Sequence, residues 1–352
     1  MLVNLYSDTQ TRPSEAMRAA IASAEVGDEQ RGEDPTTIEL ERRVASLLGQ
    51  EAAVFLPSGT MCNEIAIRAH VRPGGDEVFL GRRAHPIEDE AGGPAMLSGA
   101  VLTVLDGDRG TFTGAALDAA VSAHPAHNRY APRPRLVCVE QTANLSGGTV
   151  WPQERVEGVL EVARAHELRT HLDGARLLNA VAASGVAARE WAAAFDSAWI
   201  DFSKGLGAPI GACLAGSDDF VAEAWRWKQM LGGALRQSGI VAAAALYALD
   251  HNVERLGDDH ARARRLAEGL AGLPGIELDP SLVETNIVVF GVADADDFCR
   301  RLEAEGVRMG ALDARTVRAV THLDVDDARI DRALEAVARL RHQAAATGAR
   351  TR

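Results

Sequence analysis

Four polar groups stand where short apolar runs of the sequence end. In chain order they are the turn Ser58-Gly59-Thr60, His85, Asp173 and Lys204. Small residues before a helix leave backbone N–H groups open to an anion such as phosphate. A buried aspartate needs a cationic partner, and a lysine forms a Schiff base only where its neutral amine is accessible. Each group alone has an ordinary structural explanation. A functional prediction therefore depends on the order in which all four occur along the chain.

This order is the one in which proteins hold pyridoxal 5'-phosphate. The phosphate binds a helix N-terminus, the ring stacks on a histidine, an aspartate meets the pyridine nitrogen and a lysine bonds the aldehyde. Two alternatives stay open at this point: Asp173 could pair with Arg176 as a structural ion pair, and Lys204 could be a surface lysine. The sequence predicts the cofactor, with Lys204 and His85 as catalytic residues.

The elements that must position these groups follow from the apolar pattern. Seven short runs alternate with helical patterns, which predicts an α/β fold with a mostly parallel seven-stranded sheet and helices on both faces. The runs are EAAVFLPSG, DEVFLG, AVLTVL, RLVCVEQT, RTHLDGA, SAWIDFSKG and IGACLAGS. Ligands bind at the carboxyl ends of such strands, where the four groups stand.

After about residue 220 the pattern changes. A long helical region is followed by the segments ETNIVVFGV, DADDFCRRLEAEGV and TVRAVTHLDV, which predict a smaller α+β unit. We therefore expect residues 1–250 to form an N-terminal arm and a large cofactor-binding domain, and residues 251–352 to form a small C-terminal domain.

Composition narrows the functional class. The 352 residues carry a formal net charge of −13, which argues against a nucleic-acid surface. The chain has neither a signal-peptide pattern nor an uncharged apolar run long enough for a membrane. Its four scattered cysteines show no metal-binding spacing. We expect a cytoplasmic enzyme with a small-molecule substrate and no metal, nucleic-acid or membrane partner.

Motifs along nearly the whole chain resemble those of the threonine aldolase family, within the fold-type I pyridoxal-phosphate enzymes. They are SDTQTRP, GEDPT, PSGTMCN, EQTANLSGG, HLDGARLLNA, SKGLGAPIGACLAGS, GGALRQSG and RAVTHLDV. The resemblance implies cleavage of a β-hydroxy-α-amino acid to glycine and an aldehyde. It also implies a homo-oligomer, usually a dimer of dimers, with active sites shared between subunits.

The resemblance also implies roles for individual residues. Lys204 bonds the cofactor, Asp173 meets its ring nitrogen, Arg176 contacts its phenolic oxygen and His85 stacks on the ring. The phosphate is bound by Gly59 and Thr60, with Lys228 and Arg236 helping from a neighbouring subunit. The substrate carboxylate is held by Ser7 and Arg318, because an arginine fork fits a carboxylate.

Three positions depart from the family pattern. Ala143 replaces a histidine expected near the β-hydroxyl, and Asp89 and Arg31 each replace a more usual tyrosine. All three belong to the side-chain half of the implied site. We therefore expect a best substrate other than threonine, with a polar side chain read by Asp89 and Arg31 and more room at Ala143.

Three other functions share parts of this pattern. The same cofactor supports β-elimination, dehydration or racemisation of a β-substituted amino acid. A dinucleotide-dependent oxidoreductase would share the strand-helix alternation, but the sequence lacks the glycine fingerprint after its first strand. A non-catalytic scaffold would not require Lys204 and Asp173.

Overall fold

The computed structural model describes residues 2–123 and 128–348, with side chains as far as residue 341. The strands in this part of the chain are β1 (Val3–Asn4), β2 (Ala52–Leu56), β3 (Asp76–Gly81), β4 (Val101–Leu105), β5 (Arg133–Glu140), β6 (Arg169–Gly174), β7 (Ser197–Asp201), β8 (Ala212–Gly216), β9 (Ile287–Gly291), β10 (Val307–Arg308), β11 (Gly310–Ala311) and β12 (Thr316–Val320). The helices are α1 (Glu15–Ala22), α2 (Pro35–Leu48), α3 (Gly59–His70), α4 (His85–Glu88), α5 (Gly93–Ser98), α6 (Gly114–Ser122), α7 (Gln153–Ala165), α8 (Leu177–Ser184), α9 (Ala188–Ala192), α10 (Asp218–Met230), α11 (Gly239–His251), α12 (Leu256–Ala271), α13 (Ala295–Ala304) and α14 (Asp327–Gly348).

The central sheet has seven strands in the order β2-β8-β7-β6-β5-β3-β4. Strand β8 runs antiparallel to both of its neighbours, and the other pairs are parallel. The connection from β7 to β8, residues 202–211, is too short for the helical crossover that parallel strands need. The predicted fold, a mostly parallel seven-stranded sheet, is confirmed.

Alternate residues of the sheet pack on opposite faces. In β2, Phe55 joins the core beneath α2, α7 and α11, whereas Val54 packs against α3 and α10 on the other side. Val137 and Cys138 of β5 divide between the faces in the same way. Both faces are therefore covered by helices, and ligands can approach only at an edge.

The C-terminal part has its own core around the sheet β11-β12-β9, with residues of α12, α13 and α14 packed on it. The N-terminal arm belongs to this packing, because β1 pairs with β10 and both Val3 and Leu5 are buried there. The arm thus ties the two ends of the chain together. The division at residue 250 stays a prediction.

The carboxyl ends of β5, β6 and β7 lie side by side. Glu140 is paired in register with Asp173, and Asp173 with Trp199. No helix among the described residues is both long and apolar enough to cross a bilayer. The same part of the chain contains no group of three or more His, Cys, Asp or Glu side chains that could hold a metal ion.

Candidate active site

A cavity of about 160 Å³ opens at this carboxyl edge of the sheet. Seven residues singled out in the sequence line it: Ser7, His85, Asp89, Asp173, Arg176, Lys204 and Arg318. A larger cavity of about 830 Å³, beside Trp151 and Trp191, contains none of them. The smaller cavity is the candidate site because these seven residues, which could do chemistry, all line it.

Lys204 lies just after β7 and is held by the end of that strand. Its Nζ atom is 3.2 Å from Asp201 Oδ2 and 5.4 Å from the centre of the Trp199 ring. The side chain is 14 % exposed, so the amine is sheltered yet reaches the cavity. Gly207, with a φ of 76°, completes the turn that returns the chain to β8. Asp201 was not among the predicted site residues, although its position at the end of a strand could have identified it.

Lys228 and Arg236 lie outside the cavity. Lys228 is fully buried, and its Nζ atom is 2.5 Å from Glu29 Oε1. A buried ammonium needs such a carboxylate, and this pairing leaves Lys228 no exposed face toward a neighbouring subunit, which differs from its predicted role. The Arg236 side chain is 65 % exposed, 3.5 Å from Asp28, and remains available to a neighbour.

Asp173 forms no ion pair with Arg176. Its Oδ2 atom accepts a hydrogen bond of 2.8 Å from Asn63, and its Oδ1 atom accepts one of 3.0 Å from the backbone of Ala175. The carboxylate is 3 % exposed and lines the cavity. A buried carboxylate held only by neutral donors suits a cationic partner within the cavity, such as a protonated ring nitrogen.

Arg176 is bound by Asp8 instead. Two hydrogen bonds, of 2.8 and 2.6 Å, join the guanidinium to the Asp8 carboxylate. Burial alone would raise the pKa of Asp8, but Arg176 holds it well below its usual range. Asp8 stands 168 positions before its partner, and sequence reasoning missed it although it lies within the SDTQTRP motif.

This buried pair leads to a prediction about stability. Asp8→Ala would leave the Arg176 guanidinium buried without its counter-charge, so we expect a loss of about 3 to 5 kcal/mol in the free energy of unfolding. Denaturant unfolding measures this loss. Asp106→Ala, which removes the partner of the exposed Arg82, is the matched control and should change stability far less. Equal effects of the two variants would contradict the structural role assigned to Asp8.

His85 is positioned by two acidic side chains. Its Nδ1 atom is 2.7 Å from Glu90 Oε1, and its backbone N–H donates to Glu140. Burial opposes protonation of His85, but Glu90 and Asp173 raise its pKa overall. Burial and the nearby Asp173 raise the pKa of Glu140 to about 7. The imidazole Nε2 atom is the ring nitrogen left for a ligand. Neither Glu90 nor Glu140 was singled out in the sequence.

Gly59 and Thr60 begin α3, with the Ser58 side chain capping its N-terminus. A Cβ atom at Gly59 would lie 2.3 Å from the Trp199 ring and 3.1 Å from Asp201 Oδ2. Glycine is required here because the helix start packs directly on the residues that hold Lys204. Open amides at this N-terminus are suited to a phosphate.

The other predicted substrate residues divide into two groups. Arg318 donates to the Asn144 side chain, 3.0 Å away, and Ser7 accepts from Thr9. Burial and the neighbouring Arg176 lower the pKa of Arg318, so a substrate carboxylate would stabilise this guanidinium. Asn144 was missed in the sequence, although its motif was noted.

Asp89 lines the cavity, but Ala143 and Arg31 do not. Ala143 is buried, and its methyl group lies against Gly110, where a Cβ atom would come within 3.0 Å of it. The turn containing Gly110 thus packs against the Ala143 methyl group, and the expected room for a bulkier substrate stays a prediction. Arg31 is exposed on a short 3₁₀ turn. Of the three departures, only Asp89 can meet a substrate within this chain's cavity.

Comparisons with known proteins concern the sequence and the fold of the chain. Residues 4–294 match the sequence profile of the family described as beta-eliminating lyase. The chain is 40 % identical to low-specificity L-threonine aldolase 1 of Arabidopsis thaliana, covering 91 % of each chain. It is 39 % identical to the low specificity L-threonine aldolase of Escherichia coli K12, covering 92 % of this chain and 95 % of the relative. The solved threonine aldolase of Leishmania major superposes with a TM-score of 0.81 at 18 % identity, over 96 % of this chain and 99 % of that one.

Proposed function

Because the chain belongs to the beta-eliminating lyase family, among its threonine aldolases, we propose that it binds pyridoxal 5'-phosphate in the cavity at Lys204. The protein is a carbon–carbon lyase of the threonine aldolase type, cleaving a β-hydroxy-α-amino acid to glycine and an aldehyde. The observation that carries the cofactor proposal is Asp173, a buried carboxylate with no salt-bridge partner among the described residues, in the same cavity as an accessible lysine amine.

The residues present fit this cofactor. Lys204 would bond its aldehyde carbon, Asp173 its ring nitrogen, and the start of α3 at Gly59 and Thr60 its phosphate. Arg176, already held in place by Asp8, would meet the phenolic oxygen. When bound, the cofactor supplies an electron sink beside the substrate's Cα–Cβ bond.

The protein side chains supply the rest of the chemistry. Arg318 and Ser7 would hold the α-carboxylate and so orient the bond to be broken. His85 would accept the β-hydroxyl proton at Nε2 while Glu90 keeps the opposite ring nitrogen engaged. As that proton leaves, the Cα–Cβ bond would break to release the aldehyde, and Cα would then take up a proton to give glycine. A direct test measures products: glycine and an aldehyde support the proposal, whereas ammonia and a keto acid would overturn it in favour of elimination.

We also propose that the active unit is an oligomer, a dimer of dimers. Exposed Arg236 and Arg31 stand on neighbouring segments, since the backbone of Glu29 donates to the carbonyl of Arg236. We infer that these two guanidinium groups reach a partner's site, where one would help bind the phosphate and the other would meet the substrate side chain. Sedimentation of the purified protein measures the assembly, and a monomer with full activity would exclude this sharing.

Asp89 leads to a prediction about specificity. An exposed carboxylate on the cavity wall favours substrates whose side chain carries a further hydroxyl or an amine beyond the β-hydroxyl, so the preferred substrate should not be threonine. Asp89→Leu is expected to raise kcat/KM for threonine and β-phenylserine, relative to polar β-hydroxy amino acids, by about 10-fold. Glu88→Leu, an exposed neighbour outside the cavity, is the control. If the wild type prefers threonine and Asp89→Leu leaves the ratio unchanged, the assignment is wrong.

A further inference from the structure

Two buried glutamates lie behind His85, on the side away from the cavity. Glu64 is on α3 and Glu90 follows α4, and each is only 5 % exposed. Glu90 Oε1 accepts two hydrogen bonds of 2.7 Å, one from Asn63 and one from His85 Nδ1. Asn63 also donates to Asp173. Glu90 is therefore in contact with the groups that face the cofactor site.

No side chain or backbone group among the described residues donates a hydrogen bond to the Glu64 carboxyl group. Both of its carboxyl oxygens, and the second oxygen of Glu90, are buried and accept no hydrogen bond from an N–H group or a hydroxyl in the described part of the chain. The backbone of Gly93 packs so closely that a Cβ atom there would lie 1.9 Å from Glu64 Oε1. No cationic side chain reaches Glu64 among the described residues, so two charged carboxylates here would be strongly unfavourable.

A single proton shared by Glu64 and Glu90 removes the unfavourable second charge. Burial, together with the negative charge of Glu90 and the hydrogen bond that a protonated Glu64 can donate to it, raises the pKa of Glu64 to about 8. Two carboxyl groups in contact commonly hold one proton between them, because the second ionisation is opposed by the first. Glu64 is the one that retains it, since Glu90 is already stabilised as an anion by Asn63 and His85.

We propose that Glu64 is a positioning residue whose O–H group donates to Glu90, holding Glu90 as an anion turned toward His85. Neutral His85 then carries its proton at Nδ1, which leaves its Nε2 atom as an acceptor. The role of Nε2 as the acceptor of the β-hydroxyl proton rests on the proposed function. The position of the His85 proton does not, because it depends only on the contacts with Glu90 and Glu64. The charged groups facing His85 are Glu90 and Glu140 beside it, and Asp173 and Lys204 across the cavity.

Two substitutions of Glu64 distinguish the effect of its donated hydrogen bond from the effect of its side-chain volume. Glu64→Gln keeps a donor for Glu90 but cannot ionise, whereas Glu64→Leu removes the donor. Without it, Glu90 should take up a proton and donate to His85 Nδ1, which moves the histidine proton to Nε2. We expect kcat to fall by about 10-fold or more in Glu64→Leu with little change in KM, and to stay within about 3-fold of wild type in Glu64→Gln.

The readout that does not depend on catalysis is the ¹⁵N NMR spectrum of the histidines in the cofactor-loaded protein, with the His85 signals assigned by their loss in His85→Asn. At a pH above the raised pKa of His85, wild type and Glu64→Gln should show the Nδ1–H tautomer, and Glu64→Leu the Nε2–H tautomer. An unchanged tautomer in Glu64→Leu would overturn the proposal. If the tautomers change as expected but no substrate is cleaved, the proposed function fails and this inference stands.

Thermal unfolding against pH tests the proton itself, even if Glu64→Leu does not fold. The unfolded chain releases the Glu64 proton near its ordinary pKa of 4.5, whereas the folded protein keeps it to about 8. Stability must therefore be lost as the pH rises between these values. Glu41, Glu140 and Asp259 also have raised pKa values, so the measurement is the difference in Tm between wild type and Glu64→Gln at each pH. A difference that does not vary from pH 5 to 8 would refute a protonated Glu64.

Discussion

Replacing Lys204 with alanine is expected to lower kcat/KM for cleavage by about 10⁴-fold or more and to remove the visible absorbance of the bound cofactor. The reason is that the cofactor's aldehyde needs an accessible amine, and the chain has only two lysines among its 37 basic Lys and Arg residues. The other, Lys228, is fully buried against Glu29. Steady-state kinetics and the absorption spectrum of the purified variant measure the two effects.

Lys204→Arg is the matched control for charge. An arginine can keep the contact with Asp201 but cannot bond the aldehyde, so this variant should lose as much activity as Lys204→Ala. Added small amines should restore part of the activity to the alanine variant, because they can enter the space left by the side chain. If either variant kept more than about 1 % of wild-type activity without added amine, Lys204 would not be the cofactor's partner.

Asp173→Asn is expected to lower kcat/KM by about 10³-fold while the protein still binds the cofactor. An asparagine preserves the size of the side chain and can still meet Asn63, but it carries no charge to keep the ring nitrogen protonated. The cofactor would then be a weaker electron sink when the Cα–Cβ bond breaks. A pH titration of the absorbance, together with kcat/KM, separates loss of this charge from loss of the cofactor.

Asn63→Ala provides the comparison for Asp173. It removes one hydrogen bond to the carboxylate but leaves the charge, so its effect on kcat/KM should be about 10-fold, much smaller than that of Asp173→Asn. An Asp173→Asn variant as active as Asn63→Ala would show that the ring nitrogen does not depend on this carboxylate.

The fold and the main chemical groups could be predicted because they depend on local pattern. Buried strands read as apolar runs, and parallel strands place their following residues at one edge of the sheet. Asp173 and Lys204 were therefore predictable as neighbours, although 31 positions separate them. The helix start at Gly59 followed from the same reasoning.

What could not be predicted depends on partners distant in sequence and on the direction of side chains. Arg176 had a nearby candidate in Asp173, but its partner is Asp8, brought in by the N-terminal arm. Lys228 was expected to reach a phosphate and instead pairs with Glu29. Ala143 lies in the expected motif, yet its methyl group faces the turn at Gly110. Nothing in the local sequence of these residues specifies such contacts.

The most direct test of the account is reduction of the purified protein with borohydride, followed by digestion and mass spectrometry of its peptides. Reduction fixes the cofactor to whichever amine carries it, and the chain offers only Lys204, Lys228 and its N-terminus. We predict that the added mass is found on the peptide that contains Lys204. Finding it on Lys228 or the N-terminus, or finding none after incubation with pyridoxal 5'-phosphate, would contradict the central claim.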